Sequence, residues 1–439
     1  MGLHVVILAA GLGTRMRSDI PKVLHRVAGR PLLHWPVALA REVGAASIVA
    51  VLGHGRDAVA AALEARFPGA VAVVVQDPPR GTGDAVRCAL PALPADPDTR
   101  VLILSGDVPL LTRATIDRLL ATDATLAVVT TRPPSPDGYG RILRRDGRVA
   151  GVVEHRDATP SERRIGEINA GIYLARLGFL REAIAGLGTN NAQGELYLTD
   201  IVAQADGVAD VDAPFEEVAG VNDRVDLARA DAAARRRIAE AWMREGVTIT
   251  LPETVAIDAD VELARDVEIG PGVCLYGATS VGTGTTIKAY SVLNDAKIGP
   301  RAQVGPFTHM RPGCELGPEV HLGNFVETKK ARLGAGAKAN HHAYLGDVDI
   351  GPRVNVGAGT ITCNYDGEKK HQTVIEEGAF IGSDTQLVAP VRVGKGAYVA
   401  AGTTVTEDVP AGALVLTRAP TTIKEGYVER RRKREPKNT

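Results

Sequence analysis

The 439-residue sequence is poor in the features that mark secreted proteins and proteins that bind nucleic acid. It has four cysteines, none of them in a Cys-x-x-Cys pair: Cys88, Cys274, Cys314 and Cys363. This scatter predicts reduced thiols that pack inside a cytoplasmic protein, rather than a disulfide framework. The formal net charge is only −1, so the chain as a whole offers no positive field for nucleic acid.

Long apolar runs are lacking as well. No uninterrupted apolar stretch approaches the roughly 20 residues of a membrane span, and no basic segment precedes an apolar run near the N-terminus. We therefore expect a cytoplasmic protein with neither a membrane span nor a signal peptide. Aromatic residues make up 4% of the chain, so we expect cores of small aliphatic side chains. The basic run Arg430–Arg434 is either a solvated tail or a binding segment.

What the sequence does contain is a six-residue repeat between Ile269 and Val405. Aliphatic residues recur every six positions, and many are followed by glycine. The first run is Ile269, Leu275, Val281, Ile287 and Leu293, and after a one-residue slip a second run follows with Ile298, Val304, Met310, Leu316 and Leu322. Period six predicts a parallel β-helix in which three hexads form one triangular coil, with about seven coils in all. A β-sandwich would need period-two strands and hairpin turns, which this stretch lacks.

The first half of the chain alternates β-rich and helical stretches, beginning with a strand at His4–Ala9 and a helix at Leu33–Val43. This order predicts a Rossmann-like α/β domain with a mostly parallel sheet and ligands beyond the carboxyl ends of its strands. Residues 225–245 lack glycine and proline and are rich in Ala, Arg and Glu, so they predict a linker helix. The expected domains are residues 1–224, this helix, and a β-helix domain with a C-terminal tail over residues 246–439.

A glycine-rich turn after the first predicted strand carries the first candidate site. Leu8 to Gly11 lead into Gly13, and Arg15 and Lys22 follow. The turn lacks the third glycine of a dinucleotide fingerprint and the Gly-Lys-Ser/Thr of a P-loop. Backbone N–H groups and two cations suit a triphosphate that loses pyrophosphate. The alternative is a plain βα turn with two surface cations.

An acidic residue ends the segment Ser105-Gly106-Asp107, directly after a predicted buried strand. A carboxylate in that position needs a cationic partner. Mg²⁺ is bound in proteins through one or two protein oxygens together with substrate phosphates. We therefore expect Asp107 to bind Mg²⁺.

Taken together, these segments resemble the bacterial bifunctional enzymes of UDP-N-acetylglucosamine synthesis over nearly the whole chain. The resemblance implies acetyl transfer from acetyl-CoA to glucosamine 1-phosphate by a left-handed β-helix domain. It also implies attack of N-acetylglucosamine 1-phosphate on the α-phosphorus of UTP, with release of pyrophosphate. The product would supply peptidoglycan and lipopolysaccharide precursors, and thereby cell-wall biogenesis and cell shape.

The resemblance also assigns residues to the nucleotidyl-transfer site. Arg15 and Lys22 would be catalytic, and Asp107 and Asn222 would bind Mg²⁺. The contacts to UTP and UDP-N-acetylglucosamine would come from Leu8, Ala9, Ala10, Gly11, Lys22, Gln76, Gly81, Thr82, Ser105, Gly106, Asp107, Gly140, Glu154, Asn169 and Asn222. The sequence departs from the family at Pro78-Pro79-Arg80, where Glu-Gln-Leu is more common, so its preference for UTP stays open.

The predicted β-helix carries a second group of polar residues where its repeat is interrupted. Arg311 and Lys329 offer cations for a sugar phosphate, and the segment from Ala339 to Asp347 breaks the hexads. Within it, His341 is the best candidate for a general base, because neutral imidazole titrates near working pH. The alternative is a corner histidine that makes one hydrogen bond.

By resemblance, His341 is the base that takes a proton from the attacking amine of glucosamine 1-phosphate. Arg311, Lys329, Tyr344 and Asn355 would contact that substrate. Acetyl-CoA would be bound by Ala358, Asn364, Tyr365, Ser383, Ala401 and Arg418. The resemblance also implies a homotrimer with active sites between subunits. Arg418 would then reach the acetyl-CoA site of a neighbouring subunit.

Several alternatives remain open. His342 could shift the pKa of His341 or face away from it, and Cys363 could be a reactive thiol or a packing one. His309 and His321 could be zinc ligands, as in trimeric β-helix carbonic anhydrases, although their spacing places them on different faces. The β-helix could also be a regulatory or assembly part of a single-activity sugar nucleotidyltransferase, or the whole chain a non-catalytic scaffold.

Overall fold

A computed structural model describes residues 2–434, with side chains up to Arg432. The end of the predicted C-terminal tail, residues 435–439, lies outside the described residues. The chain folds into two compact units. One extends to Glu240 and includes Asp258–Asp260, and the other consists of Ala241–Ile257 and Val261–Thr439.

The N-terminal unit is the α/β domain that the sequence predicts. Its strands are β1 (Leu3–Ala9), β2 (Arg26–Val27), β3 (Arg30–Pro31), β4 (Ser47–Leu52), β5 (Ala72–Val75), β6 (Arg100–Ser105), β7 (Leu126–Thr131), β8 (Arg141–Arg145), β9 (Arg148–Val153), β10 (Ile168–Arg176) and β11 (Val208–Asp212). Its helices are α1 (His34–Glu42), α2 (Arg56–Arg66), α3 (Thr82–Ala89), α4 (Arg113–Leu120), α5 (Leu177–Ala185) and α6 (Phe215–Val218), followed by α7 (Arg224–Arg244). Short 3₁₀ turns lie at Thr14–Met16, Lys22–Leu24, Leu90–Ala92, Glu162–Arg164 and Leu198–Gln204.

The main sheet has the strand order β11-β7-β10-β6-β1-β4-β5. β1 pairs in parallel with β4 and β6, whereas β10 runs antiparallel to β6 and β7. Alternate residues of the central strands enter the cores on opposite faces: Ile7 and Leu104 lie in one core, and Val6 and Ile103 in the other. Burial on both faces explains the continuous apolar runs of these strands. The parallel pairing brings the carboxyl ends of β1 and β6 side by side, with Leu8 opposite Ser105.

The predicted linker helix is α7, displaced by one residue from the predicted range. Asp223 caps it, because its Oδ1 accepts hydrogen bonds from the N–H groups of Val225 at 2.8 Å and Asp226 at 2.9 Å. Gly246 follows the helix with a φ of 92°, a conformation that favours glycine.

The second unit is a parallel β-helix built from short strands. In chain order they are β12 (Thr248–Ile249), β13 (Ala256–Ile257), β14 (Glu262–Leu263), β15 (Glu268–Ile269), β16 (Cys274–Tyr276), β17 (Ser280–Val281), β18 (Thr286–Ile287), β19 (Val292–Asn294), β20 (Ala296–Ile298), β21 (Gln303–Val304), β22 (His309–Met310), β23 (Cys314–Leu316), β24 (His321–Asn324), β25 (Glu327–Leu333), β26 (Lys338–His341), β27 (Tyr344–Ile350), β28 (Asn355–Val356), β29 (Ile361–Cys363), β30 (Thr373–Ile375), β31 (Phe380–Ile381), β32 (Gln386–Val388), β33 (Val391–Val393), β34 (Tyr398–Val399), β35 (Thr404–Val405) and β36 (Leu414–Val415). A 3₁₀ turn lies at Pro252–Thr254, and α8 (Tyr427–Arg434) follows the last strand.

These strands form three faces. The first face is the sheet β12-β15-β18-β21-β24-β26-β28-β31-β34-β36. The second face contains β13, β16, β19, β22, β29, β32 and β35, and the third contains β14, β17, β20, β23, β30 and β33. The long strands β25 and β27 continue from the second face to the third.

The inward residues of successive coils stack in register, for example Ile269 on Ile287. Within residues 2–434, ten strands stack on the first face, so the prediction of about seven coils was too low. The extra coils begin at Ile249 and end at Val415, where the hexad pattern is weaker. Fully buried Thr328 and Thr362 take two inward positions where the pattern favours aliphatic residues.

None of the helices formed by residues 2–434 is both long enough and apolar enough to cross a membrane.

Candidate active sites

The first site lies at the carboxyl ends of β1 and β6. The N–H of Gly106 donates to the carbonyl oxygen of Leu8 at 2.8 Å, which joins the turn after β6 to the end of β1. The N–H of Val221 donates to the carbonyl oxygen of Asp107 at 2.9 Å. The predicted segments Leu8–Gly11 and Ser105–Asp107 therefore meet at one sheet edge, and Asn222 lies in the adjoining turn.

The predicted cations contact the predicted metal ligands in this structure. Arg15 donates from Nη2 to Oδ1 of Asn222 at 2.8 Å, and Lys22 forms a close ion pair with Asp107. Ser105 donates its hydroxyl to the other carboxylate oxygen of Asp107 at 2.6 Å. The Lys22 and Asp107 side chains are only 14% and 18% exposed, so solvent screens their attraction less than at an open surface.

The oxygens of Asp107 and Asn222 suit a divalent cation. Both are hard donors, and each contacts a positively charged nitrogen: Asn222 that of Arg15, and Asp107 that of Lys22. Across residues 2–434, no group of three or more His, Cys, Asp or Glu is arranged to hold a metal by itself. Mg²⁺ is usually bound by one or two protein oxygens, with waters and substrate phosphates completing its coordination.

A cavity of about 580 Å³ adjoins this edge and is lined by Ala10, Gln76 and Pro79. Gln76 is buried, and its Nε2 donates to the carbonyl oxygen of Gly81 and to Asp84, both at 2.9 Å. Thr82 accepts from the N–H of Leu198 at 3.1 Å through its hydroxyl. Because Pro79 lines the cavity, the segment Pro78-Pro79-Arg80, where the sequence departs from the family pattern, lies beside it.

Sequence reasoning missed one side of this cavity. The turn formed by residues 53–55, between β4 and α2, also lines it, together with Arg56 at the start of α2. The sequence could have predicted this turn, because the carboxyl end of β4, a parallel neighbour of β1, must lie at the same sheet edge.

A second group of predicted residues gathers at the β8–β9 hairpin. A Cβ on Gly140 would come within 3.5 Å of both carboxylate oxygens of Glu154, so glycine leaves space in front of that group. Burial raises the pKa of Glu154, while a 3.0 Å hydrogen bond from the Thr199 hydroxyl opposes this shift. Asn169 donates to the Tyr173 hydroxyl at 2.6 Å, and its N–H bonds the carbonyl oxygen of Gly140 at 2.9 Å. Thr199 and Tyr173 carry no motif, so sequence reasoning missed them.

In the β-helix, the predicted base and three predicted acetyl-CoA contacts share one corner. Each stands two residues after an inward residue of the first face, and register pairing stacks those inward residues from coil to coil. We call this set the corner column; it consists of Asn324, His341, Ala358, Ser383 and Ala401. Sequence reasoning missed Asn324, although it follows Leu322 at the same offset as His341 follows Ala339.

His341 and His342 have different surroundings. The exposed ring of His341 contacts Asn324, with 3.1 Å between Nδ1 and Oδ1. The His342 ring stacks on Phe325 with ring centres 5.0 Å apart, as the last member of a stack that includes Phe307 and Tyr290. His342 is therefore engaged in the aromatic stack at the adjoining corner position.

Cations gather beside the second face. Lys329 lies on β25, and the pKa of its ammonium is lowered, chiefly by Lys370 and also by Arg311. Arg311 additionally contacts Glu327 at 3.2 Å. Like charges held together in this way favour binding of an anion such as a phosphate. Sequence reasoning missed Lys370, which lies in the loop that interrupts the repeat after Cys363.

That interrupting loop is braced internally. Asn364 donates to the carboxylate of Asp347, and Tyr365 to the carbonyl oxygen of Gly367. Asp366 accepts hydrogen bonds from the N–H groups of Lys369 and Glu368, which hold the pKa of its carboxyl well below the usual range.

The remaining predicted residues lie on several elements of the β-helix unit. Tyr344 begins β27 and Asn355 begins β28, each directly before an inward residue, so both point outward. Arg418 lies in the exposed segment after β36. The preceding residue, Thr417, contacts the last coil: its N–H donates to the Thr403 hydroxyl at 3.4 Å, and its hydroxyl accepts from the N–H of Thr404 at 3.2 Å. His309 and His321 stand on different faces, in β22 and β24.

The comparisons with known proteins cover both units. Residues 5–165 match the family model described as the MobA-like NTP transferase domain, and residues 372–407 match that described as Bacterial transferase hexapeptide (six repeats). The chain is 51% identical to "Bifunctional protein GlmU" of Sorangium cellulosum over 460 residues, which cover 98% of this chain and 96% of that protein. It is 52% identical to the protein of the same name from an Anaeromyxobacter species, covering 98% and 93%. The Trichlorobacter lovleyi protein of that name is 48% identical, covering 97% and 98%.

Burial raises the pKa of the Cys363 thiol, which leaves little of the reactive thiolate at neutral pH. We therefore expect Cys363 to be alkylated by iodoacetamide more slowly in the folded protein than in the urea-unfolded chain, as measured by peptide mass spectrometry. Equal rates in the two states would contradict a packing role for this thiol.

Proposed function

This chain belongs to the family of the bifunctional protein GlmU, and we propose that its units catalyse consecutive steps of UDP-N-acetylglucosamine synthesis. Residues 246–439 are the glucosamine-1-phosphate N-acetyltransferase, residues 1–224 are the uridylyltransferase, and residues 225–245 link them. The observation that carries the proposal is that one chain holds two separate groups of polar residues: Arg15, Lys22, Asp107 and Asn222 in the one unit, and the corner column around His341 in the other.

In the acetyl transfer, His341 accepts a proton from the amine of glucosamine 1-phosphate as that amine attacks the thioester carbonyl of acetyl-CoA. A C–N bond forms, the C–S bond breaks, and CoA leaves as the thiol. Arg311 and Lys329 bind the sugar phosphate, helped by Lys370, and Tyr344 and Asn355 contact the sugar.

Acetyl-CoA lies along the coils that follow His341. Its contacts come from the corner column and from the braced loop, with Arg418 supplied by a neighbouring subunit: Ala358, Asn364, Tyr365, Ser383, Ala401 and Arg418.

In the uridylyl transfer, the phosphate oxygen of N-acetylglucosamine 1-phosphate attacks the α-phosphorus of UTP and pyrophosphate leaves. Arg15 and Lys22 bind the phosphates and stabilise the charge that develops on them. Asp107 and Asn222 would hold Mg²⁺, which would neutralise phosphate charge when bound. The catalysis comes from positioning and charge, and no protein nucleophile is needed.

The remaining predicted residues contact either the uracil of UTP or the sugar of N-acetylglucosamine 1-phosphate. Uracil is read by Gln76, Gly81 and Thr82, together with the backbone of Leu8 to Gly11; Gln76 and Ala10 line the cavity, and Gln76 is bonded to Gly81. The sugar binds at Gly140, Glu154 and Asn169, where Thr199 and Tyr173 hold the side chains in place.

We also place the enzyme in the cytoplasm, where it supplies precursors of peptidoglycan and lipopolysaccharide. The four cysteines are all free thiols, as expected in a reducing compartment.

The outer surface of the β-helix supports a homotrimer. The third face carries an ion-pair ladder in which Glu315 contacts Lys297 at 3.2 Å and Arg332 at 3.8 Å. The first face instead exposes apolar side chains near its end: Phe380, Tyr398 and Leu414 are 36%, 49% and 61% exposed. Large apolar residues at these positions mark an interaction surface, whereas the charged ladder favours solvent.

The two activities should separate genetically. His341→Ala removes the general base and should lower kcat for acetyl transfer about 10²- to 10⁴-fold while uridylyl transfer is kept. Arg15→Ala should do the reverse and lower uridylyl transfer about 10²- to 10³-fold. Release of CoA and of pyrophosphate by each folded variant measures the two effects. Equal damage to both activities by both substitutions would refute the two-site account.

Asp107→Ala should abolish Mg²⁺-dependent pyrophosphate release, because it removes the carboxylate proposed to hold the metal. The assay is a Mg²⁺ titration of pyrophosphate release from UTP and N-acetylglucosamine 1-phosphate. Asp123→Ala is the matched control: this exposed aspartate precedes β7, at the opposite end of the sheet, and pairs only weakly with Arg176 at the surface. Wild-type activity in Asp107→Ala would remove the metal assignment.

Sedimentation equilibrium should give a mass of about three times the 46.1 kDa chain. Tyr398→Lys places a charge within the apolar end of the first face and should dissociate the trimer. Val374→Lys, a similar change on the third face, should leave it intact. A wild-type monomer, or a Tyr398→Lys variant that still sediments as a trimer, would contradict the proposal.

A further inference from the structure

We propose that Asn324 is a positioning residue for acetyl transfer, which holds the His341 imidazole in the tautomer that leaves Nε2 free to accept the substrate's proton. The inference rests on the proposed function, because it takes His341 to be the base. Asn324 lies one coil before His341 in the corner column, whereas the predicted acetyl-CoA contacts of that column lie in the coils after His341.

The register of the β-helix places Asn324 against His341. β24 pairs with β26 so that Leu322 lies beside Ala339 and Asn324 beside His341. The N–H of His342 also donates to the carbonyl oxygen of Asn324 at 3.1 Å. The backbone of Asn324 is therefore fixed to the residue that follows the base.

The residue before Asn324 brings the two coils into close contact. A Cβ on Gly323 would overlap the backbone carbonyl oxygen of Asn340, so only glycine fits there. Close backbone contact at this point fixes the spacing between Asn324 and His341, and with it the reach of one side chain to the other.

The atoms in contact determine the tautomer. Oδ1 of Asn324 lies 3.1 Å from Nδ1 of His341, and a carboxamide oxygen can only accept a hydrogen bond. Nδ1 therefore carries the proton, and the lone pair is on Nε2. The His341 side chain is exposed, so without this contact its ring would be free to rotate and to exchange tautomers.

An amide at position 324 has a further consequence. A carboxylate there would stabilise the protonated imidazole and raise the pKa of His341, so that less of the base would be neutral near neutral pH. An asparagine orients the ring without this penalty. Asn324→Leu therefore tests the loss of the contact that orients the His341 ring, and Asn324→Asp tests the effect of a negative charge beside that ring.

The first measurement is the pH profile of acetyl transfer by the full-length protein. Asn324→Leu should lower kcat at every pH by roughly 10- to 100-fold, the usual loss when a group that orients a catalytic ligand is removed, with KM for glucosamine 1-phosphate within about twofold. Asn324→Asp should move the acid limb to higher pH by about one pH unit or more and recover a near-wild-type rate above it. Gln303→Glu is the matched control, since it makes the same amide-to-carboxylate change at an exposed position of β21 and should leave the profile unchanged.

The second measurement follows His341 without turnover. Histidine C2 hydrogen exchange, read by mass spectrometry with fragmentation that separates His341 from His342, gives the pKa of each ring. Asn324→Asp should raise the pKa of His341 and leave that of His342 unchanged. Uridylyl transfer by each variant checks that the chain is folded.

These measurements can overturn the inference separately from the proposed function. A wild-type rate and profile in Asn324→Leu, or an unshifted His341 in Asn324→Asp, would remove the positioning role and leave the acetyltransferase assignment untouched. Full acetyl transfer by His341→Ala would remove the proposed base, and the inference would fall with it.

Discussion

The β-helix depends on the register in which its coils stack. Each inward side chain lies on its counterpart one coil away, as Ile269 lies on Ile287, so a position within one coil is repeated in the next. Residues separated by 17 to 25 positions in the sequence consequently form straight columns. The corner column, from Asn324 through His341 to Ala401, is one such column, and the proposed acetyl-transfer site is built along it.

In the α/β unit, a different constraint brings the functional side chains together. Parallel strands must end at one edge, and the turns after β1 and β6 therefore bring cations and oxygen ligands together. The pairing of Lys22 with Asp107, and of Arg15 with Asn222, shows how these charges balance one another. Both proposed reactions thus use side chains whose positions follow from backbone pairing. Uridylyl transfer relies on orientation and charge, and acetyl transfer adds a general base.

Much of this could be read from the sequence. The period of six predicted the β-helix. The segments Leu8–Gly11 and Ser105–Asp107 were each expected directly after a strand, and the structure joins them at one sheet edge. The coil count was too low because the first coils have few of the glycines that mark the others. Asn324 was missed because it lies in an uninterrupted stretch, and its importance follows only from the 17-residue register. Arg418 was assigned by resemblance, and it lies in the exposed segment after β36.

The proposed function requires that one chain carries two sites that act in sequence. It is tested most directly by incubating the purified protein with acetyl-CoA, glucosamine 1-phosphate, UTP and Mg²⁺ and following CoA and pyrophosphate separately. We predict that CoA is released at once and without need of UTP, whereas pyrophosphate appears after a lag that added N-acetylglucosamine 1-phosphate removes. Pyrophosphate release without any release of CoA would contradict the claim, since it would reduce the β-helix to a non-catalytic part of a single-activity nucleotidyltransferase.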